Sequence, residues 1–192
     1  MPNLRPRPGS LRRVAEHIEE STGLRVEIMG GSLVMSPTPR GKHAGTIRRV
    51  RRQLESGLAE GLGLYEVSSV AMPGEPDDYV TPHLVVLPVD WDEDDDWLAE
   101  PADVELAVEV ISKSEKVREI ADKNGWYALA GVRLLLVLDP RYGVWSLHGR
   151  PKGDGGEYAD VVRGKYGDEV PLGKPFGGPL RTGDLPRYDM GG

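Results

Sequence analysis

Val104-Glu105-Leu106-Ala107-Val108-Glu109-Val110-Ile111-Ser112 is followed by a helical segment over 115–130 that carries Lys123. The first half is a nearly continuous aliphatic and β-branched run, the pattern of a central strand covered on both faces. Glu109 interrupts it. A carboxylate held there is costly to keep charged without a partner. A metal ion or a lysine would meet that need, so a strand followed by a helix with one inward lysine marks the first place to look for a site.

Working outward, the chain alternates helices and short strands. Ser10 is placed to cap a helix whose Leu11, Val14, Ala15 and Ile18 keep helical spacing, with Thr22-Gly23 as its end. Gly30-Gly31 between 25–29 and 32–35 signals a hairpin, and Ser36-Pro37-Thr38-Pro39 a loop. A helix is predicted over 41–60, its inward stripe formed by His43, Ile47, Val50, Leu54 and Leu58. Strands are expected over 64–72, 83–89, 133–139, 144–147 and 157–162, with 73–79 a turn-rich loop and 90–101 a second loop. In the helix over 115–130, Val117, Ile120, Ala121, Asn124 and Ala128 are expected on the inner side, and Gly131 ends it. The order helix, hairpin, helix, strands, helix, strands predicts an α/β or α+β domain, a mixed sheet with helices on its faces. The Gly/Pro-rich portion over 171–192 reads as irregular structure or a loose tail.

The 192 residues suit a single domain. With 29% charged and 39% hydrophobic residues, and four Trp and seven Tyr, the chain is that of a globular protein with a real core. It has no Cys, which excludes disulfides and thiolate metal sites and fits a reducing cytoplasm. The run 134–138 is too short to span a membrane, and residues 1–20 lack an apolar signal core. The net charge of −7 argues against whole-chain attraction to nucleic acid. Charge is nonetheless segregated. Arg40, Lys42, Arg48, Arg49, Arg51 and Arg52 gather on one segment, while six acids crowd 90–96. The basic cluster is either a phosphate-binding patch or a solvated helix face.

Glu115, Glu119, Lys123 and Tyr127 are four apart and share one helical ridge. A surface pair between Glu119 and Lys123 is the commoner outcome of such spacing; the alternative is that Lys123 reaches the pocket of Glu109. Read singly, Glu27 alternates with Val26 and Ile28 and is solvent-facing, and His43 is a core or cap histidine. Glu105, near its strand start, is expected to be exposed. Ser112 and Ser114 are candidate helix caps. His17 and His148 have no acidic companion at telling spacing. No Gly-rich phosphate loop, nucleophile elbow or zinc motif is present.

Taken together, Val108-Glu109-Val110-Ile111-Ser112, Ser114, Glu119, Lys123, Tyr127, Ala130-Gly131-Val132 and Val137-Leu138-Asp139-Pro140 carry a resemblance to the Uma-two family of restriction-endonuclease-like proteins, in the PD-(D/E)xK nuclease superfamily. Upstream, Glu27, Gly31-Ser32-Leu33-Val34-Met35-Ser36-Pro37 and His43 are similar to the family's opening hairpin and helix. Pro82-His83-Leu84-Val85-Val86 falls where the family has its Pro-Asp strand. The resemblance covers 24–165. It implies a restriction-endonuclease-like core and metal-dependent hydrolysis of DNA phosphodiesters with Mg²⁺ or Mn²⁺. By the same resemblance Glu109 and His83 are the metal ligands, Lys123 orients water or stabilises charge at the phosphate, and Glu27 and His43 complete the catalytic pocket. Arg40, Lys42, Arg48 and Arg52 are the DNA-backbone candidates.

Two departures matter. The position two residues after the glutamate, a lysine in most of the superfamily, is Ile111; the resemblance implies that the family's lysine sits on the next helix, where Lys123 matches it. The Pro-Asp aspartate is His83, a neutral, borderline donor that suits Mn²⁺ better than Mg²⁺ and weakens the site. A non-catalytic nucleic-acid-binding relative and a protein-interaction domain of the same fold are the alternatives. Cutting both strands implies a homodimer, for which the apolar edge strands after Gly131 are the candidate interface.

Overall fold

The computed structural model describes residues 9–36, 38–153 and 155–189, so the basic segment over 1–8, Pro37 and the last three residues of the tail lie outside the described residues. Among those described are three α-helices, α1 (Ser10–Thr22), α2 (Gly41–Glu55) and α3 (Val117–Ala130). The strands are β1 (Arg25–Met29), β2 (Ser32–Ser36), β3 (Leu62–Tyr65), β4 (Ser69–Met72), β5 (Glu75–Val80), β6 (Leu84–Pro88), β7 (Leu98–Ala99), β8 (Leu106–Val110), β9 (Leu134–Asp139), β10 (Val144–Pro151) and β11 (Tyr158–Lys165). They form two mixed sheets, not one. The first has five strands in the order β2-β1-β5-β4-β7, the second six in the order β11-β10-β9-β8-β6-β3.

The decisive strand behaves as its sequence requires. β8 lies inside the six-stranded sheet, parallel to β9 and antiparallel to β6. Leu106, Val108 and Val110 face a core shared with Val50 and Leu54 of α2 and with Leu136 and Leu138 of β9. Ala107 faces the opposite layer, with Val85, Leu135, Val137 and the α3 residues Trp126, Tyr127 and Ala128. α3 is the crossover between the parallel pair β8 and β9, so the lysine-bearing helix lies against the face to which Glu109 points.

The hairpin closes where Gly30 and Gly31 adopt φ of 57° and 71°, values that favour glycine. Its exposed amides are captured by Asp78, whose Oδ2 and Oδ1 accept from Gly30 N at 2.5 Å and Gly31 N at 3.1 Å. That capture explains why 73–79 is not a turn-rich loop. Pro76, Asp77 and Asp78 disguise β5, an interior strand whose acid is satisfied by a neighbouring turn. Likewise 64–72 is not one strand. The backbone breaks at Val67, with φ of 65°, and the chain passes from the six-stranded sheet to the five-stranded one.

Smaller corrections concern the helix ends, where side chains and backbone compete for the terminal groups, and the edge of the second sheet. Ser10 is the first residue of α1, not its cap, which is Gly9. α2 ends at Glu55, so Leu58 lies beyond it, although His43, Val50 and Leu54 are buried on the expected stripe. α3 is capped at Lys116, whose N–H is accepted by Glu119 at 2.9 Å, so neither Ser112 nor Ser114 caps it. Val117 is exposed. β9 and β10 are interior strands, so the free edge after Gly131 is β11.

The C-terminal portion is irregular but firmly packed. Val170, Leu172, Phe176, Leu180 and Leu185 are buried in the core beside α2. Gly57 and Gly177 meet backbone to backbone; a Cβ on Gly57 would lie 2.7 Å from the Gly177 Cα. Among the described residues no helix is long and apolar enough to cross a membrane.

Candidate active site

A cleft of about 1620 Å³ opens between the two sheets, α2 and α3, and Glu27, His43, His83, Glu109 and Lys123 all line it. Glu109 reaches it from β8, Lys123 from α3, Glu27 from β1, His43 from the first turn of α2, and His83 from the segment entering β6. The backbone of His83 already belongs to the sheet, its N–H donating to Val108 O at 3.1 Å.

Charge is concentrated at the floor. Lys123 Nζ lies 2.8 Å from Glu109 Oε1, and 2.9 and 3.1 Å from the two oxygens of Glu27. The surface pair between Glu119 and Lys123 is therefore not made. Tyr127, one turn after Lys123, donates its hydroxyl to Glu109 Oε1 at 2.6 Å. His83 Nδ1 lies 2.6 Å from Glu109 Oε2. A charged carboxylate can only accept, so Nδ1 carries the proton of that bond. The approach of Val110 N–H to the same nitrogen, at 3.3 Å, is then not a hydrogen bond. The Thr81 amide donates to Glu27 Oε1 at 2.8 Å.

Both glutamates are buried, Glu27 to 2% exposure and Glu109 to 4%. The solvent-facing reading of Glu27 fails because β1 is covered on both faces. Val26 and Ile28 pack with Ala15 of α1, while Glu27 meets Lys123 on the opposite face. Burial opposes the charged form of Glu109, but Lys123 and His83 outweigh it and hold the carboxyl well below the usual range. The same balance holds Lys123 above its usual range, burial being overcome by Glu109 and Glu27. Burial, then the nearby carboxylates, push the Tyr127 hydroxyl far up, so it remains a donor.

His43 stands apart from this network. Its ring lies 4.6 Å from that of His83, centroid to centroid. Burial and then His83 lower its pKa to about 4, so it is neutral near pH 7. Nδ1 lies 3.0 Å from the Tyr188 hydroxyl, while Nε2 is buried without a partner.

The two residues read as metal ligands thus contact each other, and the second oxygen of Glu109 is taken by Lys123 and Tyr127. Among the described residues no three His, Cys, Asp or Glu side chains are arranged to hold an ion. This donor set does not fit a hard, oxygen-rich Mg²⁺ site. Of the DNA-backbone candidates, Arg40 and Lys42 line the cleft, together with Lys113; Arg48 and Arg52 are exposed on α2 and do not. Glu105 is half-exposed and paired with Arg133 at 2.7 Å. His148 is buried, bonded to Ser146 at 2.8 Å, and outside the cleft. His17 is exposed on α1. Tyr127 was legible from its place on the Lys123 ridge. Tyr188, inside the Gly/Pro-rich tail, gave no signal.

A solved structure with 14% sequence identity shares this fold, with a TM-score of 0.67. It is the crystal structure of a protein from Anabaena variabilis ATCC 29413 described as a "putative nuclease belonging to DUF820", and the match covers 85% of this chain and 90% of that one. No curated protein matches the chain. A family model, Uma2, described as "Putative restriction endonuclease", matches residues 13–180. The chain belongs to the Uma2 family, whose description names restriction endonucleases.

Proposed function

We propose that the cleft hydrolyses DNA phosphodiester bonds, as an endonuclease site of the restriction-endonuclease kind that is weakened for Mg²⁺ by His83. The observation that carries this reading is the buried contact of Lys123 with Glu109 at 2.8 Å, which unites the strand acid and the helix lysine of the family pattern at the floor of a cleft. Arg40, Lys42 and Lys113 on its walls hold the DNA backbone, and Arg48 and Arg52 steer it from outside. Lys123 supplies positive charge towards the phosphate, oriented by Glu27 and Glu109. Divalent-metal dependence enters through the family resemblance, with Mn²⁺ favoured over Mg²⁺ because an imidazole replaces a carboxylate. A cytoplasmic location fits the absence of Cys. Cutting both strands calls for a homodimer, and the free edge of β11 is the surface assigned to it.

Plasmid cleavage with Mg²⁺, then Mn²⁺, beside a metal-free control tests the reading. Slow or absent cleavage with Mg²⁺, faster cleavage with Mn²⁺, and loss of both in Glu109→Ala are expected. Full activity in that variant would refute the assigned role. The mutual contact of His83 and Glu109 favours a second reading, a DNA-binding relative without catalysis. That reading predicts salt-dependent DNA binding with no cleavage under any metal.

A further inference from the structure

Tyr188 lies beyond residue 180, where the family match ends, yet it reaches the wall of the cleft. The segment that carries it is anchored along its length. Leu185 is buried, the Pro186 ring lies 3.6 Å from where a Cβ on Gly45 of α2 would sit, and the Tyr188 amide donates to Pro140 O at 2.9 Å. The hydroxyl of Tyr188 has two neighbours, Ile111 O at 2.9 Å and His43 Nδ1 at 3.0 Å. It has one proton to give. A backbone carbonyl can only accept, so satisfying both contacts sends the tyrosine proton to Ile111 O and leaves the hydroxyl oxygen to accept from His43. Nδ1 must then carry the proton of the neutral imidazole, and Nε2 must be a bare lone pair. Nε2 is the ring nitrogen left buried without a partner, on a ring whose centroid lies 4.6 Å from that of His83. An orphaned acceptor in such a place is unfavourable unless a ligand or water uses it.

We propose that Tyr188 is a positioning residue that locks His43 in the Nδ1–H tautomer, reserving Nε2 as a proton acceptor for a water or hydroxyl group that enters the cleft. Histidines at functional sites are commonly fixed this way, the hydrogen bond on one nitrogen deciding the state of the other. The role of the acceptor in hydrolysis rests on the proposed function; the tautomer does not.

Imidazole ¹⁵N spectra of the full-length protein, labelled at histidine and kept near neutral pH in metal-free buffer, test it. His43→Gln assigns the signals. In the wild type His43 should show a protonated Nδ1 and a bare Nε2. In Tyr188→Phe, which keeps the ring and removes the acceptor, the signals should move towards the Nε2–H form or a mixture, with the other histidines unchanged. Tyr188→Gln, whose amide oxygen can accept, should keep or restore the wild-type pattern if it reaches Nδ1. A wild-type His43 protonated on Nε2, or a Tyr188→Phe spectrum unchanged at His43, would overturn the proposal. Neither result depends on whether DNA is cut. If the hydrolytic reading also holds, Tyr188→Phe should lower kcat about 10-fold or more and leave KM near the wild type.

Discussion

The floor of the cleft and the outer face of α2 carry the same kinds of charge in opposite settings. At the floor, Lys123 is 15% exposed and touches two carboxylates that are more buried still. On α2, Arg51 pairs with Glu55 at 2.7 Å and Glu66 at 3.0 Å, with all three side chains 40% exposed or more. The distances are alike and the consequences are not. Surface pairs are screened and contribute little, whereas a buried cluster must be neutralised from within or it fails. Two glutamates, one lysine and donors from Tyr127, Thr81 and His83 are therefore mutually dependent. Arg51, by contrast, meets its two partners through exposed contacts alone, so neither depends on it in the same way.

Removing Lys123 should break the contrast most severely. Lys123→Met leaves two buried carboxylates facing each other, and a loss of roughly 3–5 kcal/mol in urea unfolding is expected. Tyr127→Phe removes one donor to the charged Glu109 while keeping the ring, with an expected loss of about 1.5–3 kcal/mol in the same measurement. Acid should act on His43 next. Its folded pKa, about 4, lies below its ordinary 6.5, so the unfolded chain takes up a proton first as pH falls. Stability should decline across that window and fall further at lower pH as Glu109, also depressed, is protonated. Unfolding followed against pH in metal-free buffer should show the upper part of the decline shrink in His43→Gln, the remainder coming from His148, whose pKa burial also lowers. Arg51→Ala should matter least, costing under about 1 kcal/mol and less at high salt.

The interior strand β8 and the link between Glu109 and Lys123 were legible because their signals are local. A continuous apolar run names an interior strand, and a four-residue ridge names a helix face. Glu27 was not legible from alternation, since that rule presumes one wet face and β1 has none. β5 was hidden because its Asp78 is satisfied by Gly30 and Gly31, forty-eight and forty-seven residues away. Tyr188 was hidden for the same reason at longer range, 145 residues from His43. Family resemblance located His83 but not its contact. Only the structure reveals that its imidazole turns to Glu109 and occupies one of its oxygens.

That contact makes residue 83 the most direct test. Calorimetric titration of Mg²⁺ into the wild-type protein and into His83→Asp asks whether position 83 supplies the hard ligand that the cleft lacks. The substitution replaces a donor to Glu109 by a second carboxylate, so Mg²⁺ should bind His83→Asp more tightly than the wild type. Equal affinity in the two proteins would contradict that assignment and move the metal site, if any, away from Glu109 and residue 83.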